Sequence, residues 1–112
     1  MSHSVVVILN NMKEMEVPSQ LIYQDRIPLT NTEFIQLVIW HVEPPVHGST
    51  HHYKYRFAYV KEGICRLRYD NEAGKGDHKH VGNTEQPIVF THLIELKRSF
   101  FSEVAQLRGE RE

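Results

Sequence analysis

Two stretches of the chain alternate cleanly between apolar and polar positions. In residues 53–60, Tyr53, Tyr55, Phe57 and Tyr59 fall on one face and Lys54, Arg56, Ala58 and Val60 on the other. That is the period of a half-buried strand. After Lys61-Glu62-Gly63 the pattern resumes, with Cys65, Leu67 and Tyr69 set against Ile64, Arg66, Arg68 and Asp70. Two alternating runs around so short a loop predict an antiparallel hairpin. On the aromatic face core packing is favoured over a stacking platform for bases, and Cys65 is expected as a small buried hydrophobe.

Upstream, residues 21–27 fit a strand stopped by Pro28, and Thr30-Asn31-Thr32 turns the chain. Residues 33–42 are the most apolar. Phe34, Ile35, Leu37, Val38, Ile39 and Trp40 occupy both alternation classes, which predicts a strand covered on both faces with Trp40 in the core. Glu43-Pro44-Pro45 ends it, because proline cannot donate to a ladder. Beyond residue 70 a polar loop is predicted over 71–83, then a short final strand over 87–90. Thr91 is the expected N-cap of a helix of about 15 residues. Its apolar stripe is Leu93, Leu96, Phe100, Val104 and Leu107, with Ile94 and Phe101 beside it. The pattern therefore predicts an α+β fold: an antiparallel sheet of four or five strands with a C-terminal helix packed on one face. Residues 19–112 form its single domain. Residues 1–18 are expected to be a weakly ordered extension, in which Val5-Val6-Val7-Ile8-Leu9 could be an edge strand.

Composition narrows the class. A chain of 112 residues, 40% hydrophobic and 24% charged, suits one small domain and is too apolar for a disordered one. No apolar stretch approaches the roughly 18 residues of a membrane helix, and the Val5 run is too short for a signal-peptide core. A soluble, cytoplasmic protein with no membrane association is expected. The single Cys65 excludes an intramolecular disulfide and a cysteine-based zinc site. Net charge is −1, but residues 51–80 hold seven Lys/Arg against four Asp/Glu, and five of the eight histidines lie in or beside them. Cationic charge and proton-transfer capacity are concentrated in that third of the chain.

The densest run of chemistry is Tyr69-Asp70-Asn71-Glu72-Ala73-Gly74-Lys75-Gly76-Asp77-His78-Lys79-His80. A solvated loop is the plainest account of it. It is no P-loop, lacking the upstream glycine and the Ser/Thr after Gly-Lys, and it lacks EF-hand spacing. His78 and His80, at i and i+2, point the same way in an extended segment. With Asp77 or Glu72 they could hold a divalent metal. The same side chains suit RNA cleavage without metal. One group removes the 2′-hydroxyl proton, a second protonates the leaving oxygen, and a cation stabilises the phosphorus oxygens. His78, His80, Glu72, Tyr69, Lys75 and Lys79 supply such groups, and Lys54, Arg56, Arg66 and Arg68 suggest a cationic strand face for phosphates. The loop from His47 to His52 could line such a site, while His41 and His92 are expected to be structural.

Gly48-Ser49-Thr50-His51-x-Tyr53-Lys54-Tyr55-Arg56, the run from Arg68 to His80, and then Pro87 and Phe90, resemble the TumE family of toxin–antitoxin proteins. The resemblance extends from about Leu21 to Val104 and leaves residues 1–18 outside. It implies a growth-inhibiting toxin and an antitoxin partner of the helix-turn-helix type. It carries no catalytic assignment of its own, and ribonuclease activity is the analogy with other small α+β toxins. The expectation is a toxin acting as a metal-independent ribonuclease with no cofactor. His78 and His80 would be acid and base, Lys75 the phosphate stabiliser, and Glu72 or Asp70 the group orienting a histidine. Lys54, Arg56 and Lys79 would hold RNA. The rival readings are a non-catalytic module binding nucleic acid or a partner, and a metal-dependent nuclease with His78, His80 and Asp77 as ligands.

Overall fold

The computed structural model describes residues 4–9 and 13–110, with side chains from Ser19 onward. The strands are β1 (Ser4–Leu9), β2 (Lys13–Pro18), β3 (Gln20–Pro28), β4 (Glu33–His41), β5 (Tyr53–Lys61), β6 (Ile64–Asp70), β7 (His78–Val81) and β8 (Thr84–Pro87), followed by the helix α1 (Leu93–Leu107). Strands β3 to β8 form one antiparallel sheet in chain order, and β1 and β2 pair with each other in a second sheet. The Val5 run thus pairs with β2 rather than with an edge of the main sheet. Lys13–Pro18, also within the residue 1–18 extension, is β2.

The main sheet has six strands, not four or five. The additional pair is β7–β8, cut from the region expected to be a polar loop. Apart from Val81 and Pro87 its residues are polar, and β8 is exposed along its whole length, so no apolar alternation announces it. Pro87 closes β8 instead of opening a strand over 87–90.

The β5–β6 hairpin turns on Glu62 and Gly63, both at positive φ (54° and 75°), so Lys61 pairs directly with Ile64. Two left-handed residues give the turn whose twist matches the strands. A bulge near Tyr59 and Val60 sets Leu67 opposite Tyr59 and Cys65 opposite Val60. Tyr59 and Val60 face opposite sides, so Cys65 and Leu67 do too. Leu67 is fully buried and Cys65 is exposed, which corrects the expectation for the thiol.

One face of the sheet forms the core. Ile35, Leu37 and Ile39 of β4, Tyr55, Phe57 and Tyr59 of β5, and Leu67 and Tyr69 of β6 meet Leu96, Phe100 and Val104 of α1. Phe100 sits edge-on to Phe57 and Tyr69 at 5.6 and 5.2 Å between ring centres, favourable aromatic geometry. The tyrosine stripe is therefore core. Strand β4 is fully buried on that face alone. On the other, Gln36 is exposed and Phe34, Val38 and Trp40 are half-buried, because α1 can cover only one side. The N-cap of α1 is His92, not Thr91: His92 Nδ1 accepts the Glu95 N–H at 3.3 Å. Among the described residues no helix is long and apolar enough to cross a membrane.

Candidate functional site

Strand pairing places Lys54 and Arg56 of β5, Arg68 and Asp70 of β6, His78 and His80 of β7, and Glu85 of β8 on the face away from α1. Arg56 pairs with Asp70 and Asp70 with His78, while Arg68 pairs with His80 and His80 with Glu85. The period of two brings the histidines together on that face, 4.8 Å between ring centres. His78 Nδ1–H donates to the Gly76 carbonyl at 2.9 Å. Its Nε2 then faces Asp70 Oδ1 at 3.4 Å and Glu85 Oε1 at 3.8 Å. His78 and Asp70 are both buried.

Arg68 Nε donates to Asp70 Oδ2 at 2.6 Å. The backbone N–H of Glu72 reaches Oδ1 at 3.3 Å, while its side chain is exposed. His80 is half-buried, with Nδ1 3.8 Å from Glu85 Oε2. Its Nε2 is buried without a hydrogen-bond partner among the described residues. Desolvation holds the His80 pKa below the ordinary imidazole range, and the Arg68 charge adds to it. Lys75 Nζ donates to Glu85 Oε1 at 2.6 Å, and this bond lowers the Glu85 pKa. A concavity of about 200 Å³ is lined by Lys75, His78, Glu85, Gln86 and Pro87. Lys75, His78, His80 and Asp70 are thus gathered on one side of the sheet, with Arg68 and Glu85 beside them.

Lys79 lies apart from them. Between the two histidines it takes the opposite face, where it bonds both Glu103 oxygens at 3.1 Å. Tyr69 donates to Glu103 at 2.6 Å, and burial followed by that bond pushes its pKa up. Lys79 and Tyr69 therefore tie the helix to the sheet.

Asp77 is also engaged elsewhere. It accepts from Ser49 Oγ at 2.7 Å, Tyr55 OH at 2.7 Å and His51 Nε2–H at 2.8 Å. His51 Nδ1 accepts the Tyr53 N–H, which fixes that tautomer. Buried Asn71 donates to Ser49 Oγ and the Tyr53 carbonyl and accepts the Tyr55 N–H. Burial and then Asp77 raise the Tyr55 pKa. This network locks residues 46–52 to residues 71–77. Gly48 and Gly76, both at positive φ, meet backbone to backbone: a Cβ on Gly48 would lie 2.5 Å from Gly76 N. The same Gly76 offers the carbonyl that orients His78. Ser49, His51, Tyr55 and Asn71 act here as scaffold, joined across more than 15 residues of sequence, so no local pattern announces them.

One ligand atom each from Asp70, His78 and His80 lies within 4.8 Å of the others. Asp70 thus stands where Asp77 or Glu72 was expected to join the histidines in a metal-binding set.

Among the described residues the molecule is a one-helix α+β domain with a histidine–carboxylate cluster on the sheet face that the helix leaves free. The family model described as Toxin TumE matches residues 3–108, and the chain belongs to that toxin family. The match takes in residues 3–20 as well, ahead of the Leu21 limit of the sequence resemblance. No curated protein and no solved structure matches it.

Proposed function

We propose that this toxin inhibits growth by cleaving RNA, with His78 and His80 as its acid–base pair. The observation that carries the reading is the placement of both imidazoles on one sheet face against Asp70, next to the concavity that Lys75 lines. His80, the more open ring, removes the proton of a 2′-hydroxyl. The 2′-oxygen bonds to phosphorus, the bond to the 5′-oxygen breaks, and His78 Nε2 delivers a proton to that leaving oxygen. The products are a 2′,3′-cyclic phosphate and a free 5′-hydroxyl. The Nδ1–H bond to the Gly76 carbonyl orients the His78 ring for this step, and Asp70 Oδ1 lies 3.4 Å from the Nε2 that delivers the proton. Lys75 keeps two N–H donors beyond its bond to Glu85, and Arg68 keeps its terminal donors, for the non-bridging phosphate oxygens. Lys54 and Arg56 continue the cationic face for the RNA backbone.

A cognate antitoxin follows from membership of a toxin family, and a helix-turn-helix protein that shields this face is the form we propose. The test is inducible expression of the toxin in a bacterial host, followed by colony counts and RNA integrity. His78→Ala and His80→Ala are each expected to restore growth and to cut cleavage by a purified protein about 10²–10⁴-fold. Full toxicity in both variants rejects the assignment.

A further inference from the structure

We propose that Asp70, His78 and His80 bind a divalent transition metal of the zinc class, and that the bound ion suppresses the acid–base chemistry by occupying His78 Nε2. The suppression rests on the ribonuclease reading; the binding does not.

The ligand chemistry is complete at the level of single atoms. His78 gives its Nδ1–H to the Gly76 carbonyl at 2.9 Å, which leaves Nε2 as the coordinating atom. Metal-binding histidines are typically oriented by such a bond to their second nitrogen. Asp70 has Oδ2 held by Arg68 at 2.6 Å, which leaves Oδ1 toward His78 at 3.4 Å. His80 presents a buried Nε2 without a partner among the described residues. A buried ring nitrogen in that state costs free energy, and a cation between the three side chains would satisfy it. One ligand atom from each of the three residues lies within 4.8 Å of the other two. Tetrahedral zinc with bonds of about 2.0–2.1 Å needs them about 3.3 Å apart. The closure required is small, and both histidines stand on one short strand beside Asp70. Glu85 Oε1, 3.8 Å from His78 Nε2, is placed to add an oxygen as the fourth ligand.

Two imidazole nitrogens among the ligands select zinc and its neighbours over magnesium or calcium. The ion and the catalytic proton require the same lone pair of His78, so one displaces the other.

The experiment uses the full chain stripped with chelator and titrated with Co²⁺ alone, read by visible d–d absorption, then with Zn²⁺ as competitor. One equivalent is expected to bind. His80→Gln and Asp70→Asn, each with an unchanged circular-dichroism spectrum, should weaken binding at least about 10-fold. The double variant His41→Gln/His52→Gln, which leaves the three ligands intact, should bind as the wild type does. If Asp70→Asn fails to fold, His80→Gln alone decides. Zn²⁺ should stop RNA cleavage by the metal-free protein, and excess chelator should restore it. Absence of saturable Co²⁺ absorption, or absorption that His80→Gln leaves unaltered, overturns the site. Binding as expected by a protein that never cleaves RNA upholds the site and rejects the ribonuclease reading with its suppression. Cleavage that appears only with Zn²⁺ upholds the site and overturns suppression.

Discussion

Gly48 shows how much can hang on one missing side chain. Its φ of +89° is a conformation that L residues rarely adopt, and its backbone touches that of Gly76. Gly76 in turn positions both the carbonyl bound by His78 and the start of Asp77. Alanine at 48 must find room for a Cβ only 2.5 Å from a backbone nitrogen. Gly48→Ala is expected to destabilise the fold by about 1–3 kcal/mol, measurable by urea unfolding. It should also reduce toxicity more than its stability loss explains, because the loop that carries the His78 partner moves. A variant as stable and toxic as the wild type would show that this contact positions nothing. At the same scale, Gly76 of the Gly74-Lys75-Gly76 run has a scaffold role.

Among the elements, the end of α1 is held to β4 by Glu33. Its carboxylate accepts from Tyr59 OH, from Arg108 Nε at 3.0 Å and from Thr30 Oγ1 at 3.0 Å. The Tyr59 bond first, and then Arg108, lowers its pKa from 4.5 to about 2. The ionised form is therefore favoured by folding. The stability it contributes is present above pH 4.5 and is lost as pH falls toward about 2. Thermal melts across that range should fall more steeply for the wild type than for Glu33→Gln, and the two should converge near the acid end. Parallel curves would mean that the clamp is absent in solution. Elements also differ in how they announce themselves. The β5 and β6 alternation and the α1 stripe are local patterns with strong apolar contrast, so sequence reveals them. β7 and β8 are four residues each, polar apart from Val81 and Pro87, and placed at the far side of the sheet, so only pairing with β6 defines them. The bulge that exposes Cys65 is equally invisible, since one inserted residue changes faces without altering composition.

For the whole molecule, the two faces of the sheet separate Lys79 from Lys54 and Arg56. Lys79 lies on the helix side with Glu103, whereas Lys54 and Arg56 lie on the face of the histidine cluster. RNA binding, measured with a cleavage-deficient His80→Ala protein, should therefore depend on Lys54 and Arg56. Alanine at either is expected to weaken affinity and to reduce the salt slope of log K by about 0.7–1. Lys79→Ala should lower thermal stability and leave that slope unchanged. Equal effects from all three would remove the distinction between the faces.

Sequence by itself determined the α+β class, the central hairpin, the helix with the buried centre of its stripe (Leu96, Phe100 and Val104, whereas Leu107 and Ile94 are exposed), and the stretch that carries the histidines. Each of these is written in residue spacing along a single element, where the periods of strand and helix act directly. The extra strands, the exposure of Cys65, the transfer of Lys79 to the helix side, and the exchange of Asp77 for Asp70 beside the histidines were decided only by the tertiary structure. These depend on strand register and on hydrogen bonds between residues distant in the chain, such as Ser49 with Asp77. Composition names the groups available for a site, but pairing between strands decides which of them can meet.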